Sequence, residues 1–143
     1  MPLGNRFEFT GQFYRGRALG GIGGGIGQSV LWERSLLDPT TEVYGLNSMG
    51  GWAQLKFQAT AKIEFNGVFA DDNAFAGDAR GFATDQNNLG EIFGRNRGAL
   101  ANVVFRPRSD LLLAAELRRL RTFPVYSNSS VTNQVNLSIG ILF

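Results

Sequence analysis

The sequence predicts an all-β fold, an antiparallel sheet with one apolar face and one polar face. The chain ends in NQVNLSIGILF, residues 133–143, and from Gln134 onward it alternates polar or Gly residues with apolar ones, with Leu142 as the one exception. This two-residue period is typical of a strand, whose successive side chains point to opposite faces. The composition agrees, because 12 Phe and 19 Gly with only 4 Pro favour strands, close backbone approaches and wide loops.

The composition also argues against several function classes. The chain of 143 residues holds at most one domain and contains neither Cys nor His, so disulfides, thiolates and the commonest acid–base residue and metal ligand are missing. A formal net charge of only +2 argues against a nucleic-acid partner. No run approaches the ~20 apolar residues of a transmembrane helix. We expect no secretory signal in the opening MPLGNRFEF, and no catalytic residue, cofactor or metal site.

The first half of the chain contains three clear alternating runs. The first covers residues 6–14, and residues 15–48 then form a Gly-rich, weakly periodic connection. The next runs cover residues 49–59 and 63–71 and are separated only by residues 60–62, which predicts a tight hairpin. Within the long connection, QSVLWERS and TEVYGL are two short segments that a further hairpin would pair.

The second half alternates in the same way. Residues 71–96 are rich in Asp, Asn and Gly and predict a long loop, followed by a strand in GALANVVFR, residues 98–106. Residues 107–109 predict a short turn into DLLLAAELRRLRT, and residues 123–132 predict a loop before the terminal strand.

The segment 110–121 allows two interpretations. It consists of strong helix formers, and Leu113, Leu117 and Leu120 would form a helical stripe. However, apolar residues also alternate here with Glu116 and Arg118, between two strand-like runs. We predict a strand and retain a helix as the alternative.

The predicted connections are long, short, long, short and long along the chain. Transmembrane β-barrels have short periplasmic turns at one end and longer extracellular loops at the other. If the two short turns are periplasmic, the first strand runs outward, the last strand runs inward, and the carboxy-terminus lies in the periplasm.

The terminal strand resembles the last strand of bacterial outer-membrane β-barrel proteins. In that family a terminal aromatic residue, preceded by apolar residues at alternate positions, is the signal read by the barrel-assembly machinery. The matching residues here are Val135, Leu137, Ile139, Ile141 and Phe143. The resemblance implies an outer-membrane location and the carboxy-terminal part of a porin-like antiparallel transmembrane β-barrel.

The number of strands departs from that family. About six strands are readable, whereas barrels made from a single chain start at about 8 strands, and open sheet edges are not tolerated in lipid. Three arrangements therefore stay open. The chain is a segment of a larger barrel, or a homo-oligomer supplies the other strands, or the further hairpin in residues 15–48 raises the count to eight.

The polar series of these strands is the candidate functional surface. In a barrel it lines the lumen, where its charges act on passing solutes. In a soluble β-sandwich it would be an ordinary solvated face. The lumen candidates are Glu8, Gln12, Gln54, Lys56, Gln58, Glu64, Asn66, Asn102, Arg106, Glu116, Arg118, Gln134, Asn136 and Ser138.

Four arginines fall in the apolar series, at the outward ends of their strands. They are Arg15, Arg17, Arg119 and Arg121. At these ends a charge avoids the bilayer midplane, and the guanidinium groups can pair with lipid phosphate. Simple snorkelling towards water is the alternative.

Two other motifs carry less information. GGIGGGIG, residues 20–27, fits neither G-x-G-x-x-G nor the P-loop pattern, so we expect a mobile or close-packed loop. Asp71, Asp72, Asp78 and Asp85 include no calcium-loop pattern, so we expect solvated loop residues.

Together these observations predict a porin-like outer-membrane channel for passive diffusion or uptake of small solutes. Its partners would be outer-membrane lipid, the barrel-assembly machinery and the solutes. A non-conducting barrel that serves as an anchor or surface-binding platform is the second hypothesis, and a soluble ligand-binding β-sandwich is the third.

Overall fold

The computed structural model describes residues 1–33, 37–80 and 92–141. Within these residues the chain is mostly antiparallel β-structure, which confirms the predicted all-β class. Short helical segments lie at Leu19–Ile22, Gly25–Gly27 and, as α1, at Ala76–Ala79. The strands are β1 (Phe7–Arg17), β2 (Val30–Trp32), β3 (Val43–Gly45), β4 (Asn47–Gln58), β5 (Ile63–Asn73), β6 (Phe93–Arg108), β7 (Leu111–Pro124) and β8 (Ser130–Ile141).

Six of these strands form one sheet in the order β1-β4-β5-β6-β7-β8, which we call the main sheet. Strands β2 and β3 pair only with each other. The main sheet is a meander in which every neighbouring pair is antiparallel. The connections at residues 18–46, 74–92 and 125–129 lie at one end, the loop end, and the connections at residues 59–62 and 109–110 lie at the opposite turn end.

The register of the main sheet separates odd from even residue numbers. For example, Phe9 pairs with Leu55 and Leu55 pairs with Gly67, while Glu8 pairs with Lys56. The same parity continues through β8, except near the register shifts of the β6–β7 pair. We call the two surfaces the odd face and the even face. A slip of one residue in the pairing of any strand would move all of its side chains to the opposite face. The observed register avoids such a slip and keeps the apolar series of every strand on the same face.

The main sheet is open, with β1 and β8 at its two edges. Residues 1–3 run along the outer edge of β1, where Leu3 N donates to Phe7 O at 2.8 Å and Phe9 N donates to Met1 O at 2.9 Å. The rest of β1 and the outer edge of β8 pair with no strand of the described residues. The described strands thus form a sheet that does not close on itself.

Two uncertain segments are settled by the structure. Residues 111–124 form strand β7 and not a helix, because the alternation and the pairing to both neighbours override the local helix propensity. The further hairpin also exists, as β2 and β3. It does not extend the main sheet, so it does not raise the strand number of that sheet to eight.

Several predicted strand boundaries were wrong. Residues 71–73 and 93–96 belong to β5 and β6 and not to a loop, and Pro107 and Arg108 end β6 and do not form the turn. The last loop covers only residues 125–129, because β7 and β8 pair further towards the loop end than predicted. Polar and turn-forming residues mark loops only on average, and here cross-strand partners keep them in the sheet.

The buried hydrophobic cluster lies at the loop end of the main sheet and not against either of its faces. It consists of Leu31, Leu46, Ala74, Ala79 and Ile92, with Val125 packed against it. None of the helices in the described part of the chain has the length and apolar character needed to cross a bilayer.

Candidate functional site: two opposed faces of the main sheet

The odd face is apolar and exposed. Sixteen large hydrophobic side chains of the main sheet are exposed, and fifteen of them have odd numbers, Trp52 being the exception. Leu137 is 80% exposed and Phe13 is 71% exposed. Monomeric soluble proteins rarely expose contiguous apolar patches above a few hundred Å², so this face needs a non-aqueous environment or a partner.

Three consecutive rows of the odd face contain no polar side chain. The rows follow the register across the strands and lie about 7 Å apart along them. Phe57, in the middle row, stacks on Phe7 with ring centroids 4.7 Å apart and on Phe65 at 6.5 Å. From the turn end, the rows are Ile63, Phe105, Leu113 and Ile139; then Phe7, Phe57, Phe65, Val103, Ala115 and Leu137; then Phe9, Leu55, Gly67, Ala101, Leu117 and Val135.

The even face carries a corresponding row in which every residue is polar. This polar row crosses all six strands, with one residue from each. Its members are Glu8, Lys56, Asn66, Asn102, Glu116 and Asn136, each paired with the next. Directly opposite positions have Cβ atoms about 4.5–5.5 Å apart, so these side chains are close enough to interact along the whole row.

Asn66 is the centre of the hydrogen-bonded part of the polar row. Its Nδ2 donates to Glu64 Oε1 and to Asn102 Oδ1, both at 2.9 Å, and its Oδ1 accepts from Gln54 Nε2 at 2.9 Å. Only 7% of Asn66 is exposed. A buried amide is costly unless it is hydrogen-bonded, and these three bonds fix its orientation in the sheet.

Charged residues of alternating sign flank Asn66. Lys56 Nζ lies 3.0 Å from Glu8 Oε2 and 3.9 Å from Glu64 Oε2, and Arg106 reaches Glu64 from the other side at 3.4 Å. These pairs are partly exposed to solvent, so each contributes little stability. Their main effect is to hold positive and negative side chains at fixed positions on the even face.

The polar row continues on β7 and β8. Asn136 Nδ2 donates to Glu116 Oε1 at 2.9 Å, and Arg118 forms an ion pair with the same oxygen at 3.0 Å. Glu116 and Arg118, two residues apart on one strand, therefore share a face. This arrangement places a carboxylate and a guanidinium side by side on a polar surface.

The Gly-rich segment is close-packed at the loop end of the even face. Asp72 accepts hydrogen bonds from the backbone N–H of Gly25 at 3.1 Å and of Ile26 at 2.6 Å, and Gly24 and Gly25 are buried. A Cβ on Gly20 would lie 2.7 Å from Gly27 O, which only glycine avoids. Beneath the segment lies a cavity of about 240 Å³ whose lining includes Tyr14, Gly23, Trp52, Asp72 and Leu120.

The prediction that the aspartates are solvated loop residues was wrong for two of them. Asp71 and Asp72 belong to β5. Asp71 pairs with Arg95 and Arg97 on the neighbouring strand, and Asp72 binds the Gly-rich segment. Asp78 lies in α1, where it accepts from Tyr44 Oη at 3.4 Å. Asp85 lies outside the described residues, and within the described ranges no three potential metal ligands cluster.

The register places the predicted residues as follows. The fourteen lumen candidates have even numbers and lie on the even face, whereas Arg15, Arg17, Arg119 and Arg121 lie on the odd face at the loop end. The described residues of the terminal signal, from Val135 to Ile141, lie on the odd face of β8, and Phe143 is outside the described residues.

Sequence reasoning missed Arg95 and Arg97, which complete the basic end of the odd face. Arg95 was assigned to the loop of residues 71–96 and Arg97 was left between that loop and the predicted strand, although their spacing of two residues continues the odd series of β6. That spacing was the available signal.

Comparisons of the chain with protein-family models, with curated proteins and with solved structures find no match. The contrast between the two faces of the main sheet is therefore the feature from which a function can be proposed.

Proposed function

We propose that the main sheet is part of a transmembrane β-barrel in a bacterial outer membrane, where its odd face contacts lipid. Its even face lines a water-filled lumen through which small solutes diffuse. The observation that carries this proposal is the exposed, continuous apolar odd face opposite a hydrogen-bonded polar row. Apolar-out and polar-in alternation is the pattern of transmembrane barrel strands.

The position of the buried cluster argues against a soluble β-sandwich. Two sandwiched sheets lie about 10 Å apart and share a core made of their inner faces. Here the buried hydrophobic residues lie at the loop end, and no second layer covers the odd face within the described ranges. In water the fifteen exposed odd residues would lack the burial that stabilises such folds.

The open edges require additional strands. Because neighbouring strands alternate in direction, β1 and β8 at the two edges of the six-stranded sheet run antiparallel to each other. The edge strand β8 of one six-stranded unit can therefore pair with β1 of a following unit and continue the antiparallel order. Two such units would give an even number of strands, as bacterial barrels have. The additional strands come from other copies of this chain or from a longer chain of which these residues are part.

The polar row favours a channel over an inert barrel. Charged side chains on a pore wall bias which ions enter, and Lys56, Glu64, Glu116 and Arg118 are held there by specific contacts. A non-conducting barrel is the second candidate, and the Gly-rich segment favours it, because Asp72 holds this segment over one end of the even face.

Reconstitution in planar bilayers tests the proposal. A channel gives discrete, ohmic conductance steps. A heat-modifiable barrel without conductance would establish the anchor, and a protein that is monomeric and folded without detergent would refute the membrane assignment.

A further inference from the structure

Four arginines lie together at the loop end of the odd face, on the adjacent strands β6 and β7. Arg97 and Arg121 are directly opposite each other, and Arg95 and Arg119 lie two residues away on their respective strands. Like charges directly opposite each other destabilise a sheet. Across the odd face of the main sheet, Asp71 is the only acidic residue, so this arginine cluster carries four positive charges against one negative charge.

Asp71 neutralises one side of the arginine cluster. Asp71 forms a bidentate ion pair with Arg95, in which Arg95 Nε donates to Asp71 Oδ1 at 2.8 Å. Arg97 contacts the same carboxylate at 3.3 Å. Arg97 lies with its guanidinium carbon 6.0 Å from the Phe69 ring centroid. Its Nε is buried and has no hydrogen-bond partner in the described structure.

The other side of the cluster has no carboxylate. Arg121 donates to Ser129 Oγ at 3.0 and 3.3 Å and stacks on Phe123, with 4.7 Å from its guanidinium carbon to the ring centroid. Within the residues the structure describes, Arg119 has no ion pair and its direct cross-strand neighbours are Ala99 and Asn133. Arg119 and Arg121 thus present guanidinium groups to an anion that the described residues do not supply, and Arg97, which also contacts Asp71, lies directly opposite Arg121.

An apolar groove begins next to this cluster. A cavity of about 420 Å³ has Arg119 at its margin and includes Ala99, Ala101 and Val135 in its lining. A second cavity of about 270 Å³ shares Ala101, Leu117 and Val135 with the first and extends to Ala115. The groove follows β6 towards the turn end, because the lining residues Ala99, Ala101 and Ala115 are small while Phe65 and Leu117 beside them are large.

We propose that this surface binds one anionic lipid, with its phosphate group at Arg97, Arg119 and Arg121 and an acyl chain in the apolar groove. The inference rests on the proposed lipid-facing role of the odd face. Guanidinium groups bind phosphate through paired, charge-assisted hydrogen bonds, and the groove accepts the hydrocarbon that is attached to the same molecule.

Snorkelling does not account for this arrangement. Snorkelling requires only that each long side chain reach water independently. It does not require two arginines at directly opposite positions, nor a groove that leads away from them. Arg15, on β1, was also a candidate for lipid phosphate, but its direct partner is Met49 and it lines neither cavity, so it is the control for an odd-face arginine outside the cluster.

The test uses the protein folded in neutral detergent micelles, with heat-modifiability showing that each variant is folded. Phosphatidic acid or phosphatidylcholine is added, and the retained lipid is counted by native mass spectrometry. We expect preferential retention of phosphatidic acid. Arg119→Gln and the groove-filling Ala101→Leu should each weaken it about tenfold, equivalent to ~1.4 kcal/mol, whereas Arg15→Gln should leave it unchanged.

Three results would overturn the inference. They are equal retention of both lipids, equal weakening by Arg15→Gln and Arg119→Gln, and displacement of the lipid by millimolar inorganic phosphate with no effect of Ala101→Leu. The third result would indicate a free-phosphate site. A conducting barrel that shows no lipid preference refutes this inference alone, whereas a folded protein that needs no micelle refutes the proposed function as well.

Discussion

Leu137 and Asn136 are neighbours on β8, and arginine at each position should have very different consequences. Leu137 lies in the middle of the three apolar rows of the odd face, with one fully apolar row on each side at about 7 Å. Arginine on the lipid face at the midplane costs about 2–4 kcal/mol. Asn136→Arg instead loses one hydrogen bond to Glu116, about 0.5–1.5 kcal/mol, and places a cation beside that carboxylate.

The difference between the free-energy costs of Leu137→Arg and Asn136→Arg distinguishes lipid from water at the odd face, because Leu137 is 80% exposed in the isolated sheet. In water, a substitution at so exposed a position changes stability by only about 0.5 kcal/mol. A cost near 3 kcal/mol for Leu137→Arg, and near 1 kcal/mol or less for Asn136→Arg, would therefore report lipid at the odd face.

The assay is urea-dependent folding into neutral phospholipid vesicles, followed by the heat-modifiable band on gels. Ser138→Arg provides a second even-face control, because it lies two residues from Asn136 on the same face. Equal free-energy costs for Leu137→Arg and the two even-face variants would refute the assignment of the faces.

Three further predictions follow from the same geometry. Arg118→Glu should raise the permeability of cations relative to anions in reversal-potential measurements, with a smaller shift at about 1 M salt, where the Debye length is ~3 Å. Arg119→Glu, on the odd face, should leave ion selectivity nearly unchanged, and a larger shift from Arg119→Glu than from Arg118→Glu would contradict the register. Asp72→Ala should free the Gly-rich segment that it holds at Gly25 and Ile26 and raise single-channel conductance, whereas unchanged conductance would mean that the segment does not obstruct the lumen. Deleting Phe143 should lower the amount of heat-modifiable barrel in outer-membrane fractions, because it matches the assembly signal, and an unchanged amount would count against that resemblance.

The two faces of the sheet could be predicted from sequence because successive side chains of every strand point to opposite faces, so a period of two is all the information required. Once each strand is in register, the parity of a residue number determines its face. This is why Glu116 and Arg118 were placed together on one face although segment 110–121 has strong helix propensity. The pairing of β7 with two neighbours decided between strand and helix, and no local property of the segment contains that information.

The ends of the strands could not be predicted in the same way. Asp71 and Arg95 lie in a stretch whose composition predicts a loop, yet both belong to strands, where Asp71 is directly opposite Arg97 and forms a diagonal ion pair with Arg95. Likewise the sequence GGIGGGIG gives no indication that Asp72, 47 residues away from Gly25, binds its backbone. Contacts between residues distant in sequence determine both features, and single-sequence patterns do not report them.

The distribution of charge on the odd face gives the sheet a direction. Six odd-numbered arginines lie on this face at the loop end, whereas Leu111 and Ile141, the odd-numbered residues nearest the turn end, are apolar. Arg108, which the register shift of β6 brings opposite Leu111, forms an ion pair with Asp110 at 2.8 Å. A sheet that faced the same solvent at both ends would have no reason to separate its cations in this way. In the proposed barrel, this asymmetry places the loop end at a phosphate-rich leaflet and leaves the turn end to a surface that needs no anchoring cations on the lipid side. The arginine cluster on β6 and β7 then has two consequences, since it orients the sheet and provides the charged end of the lipid groove.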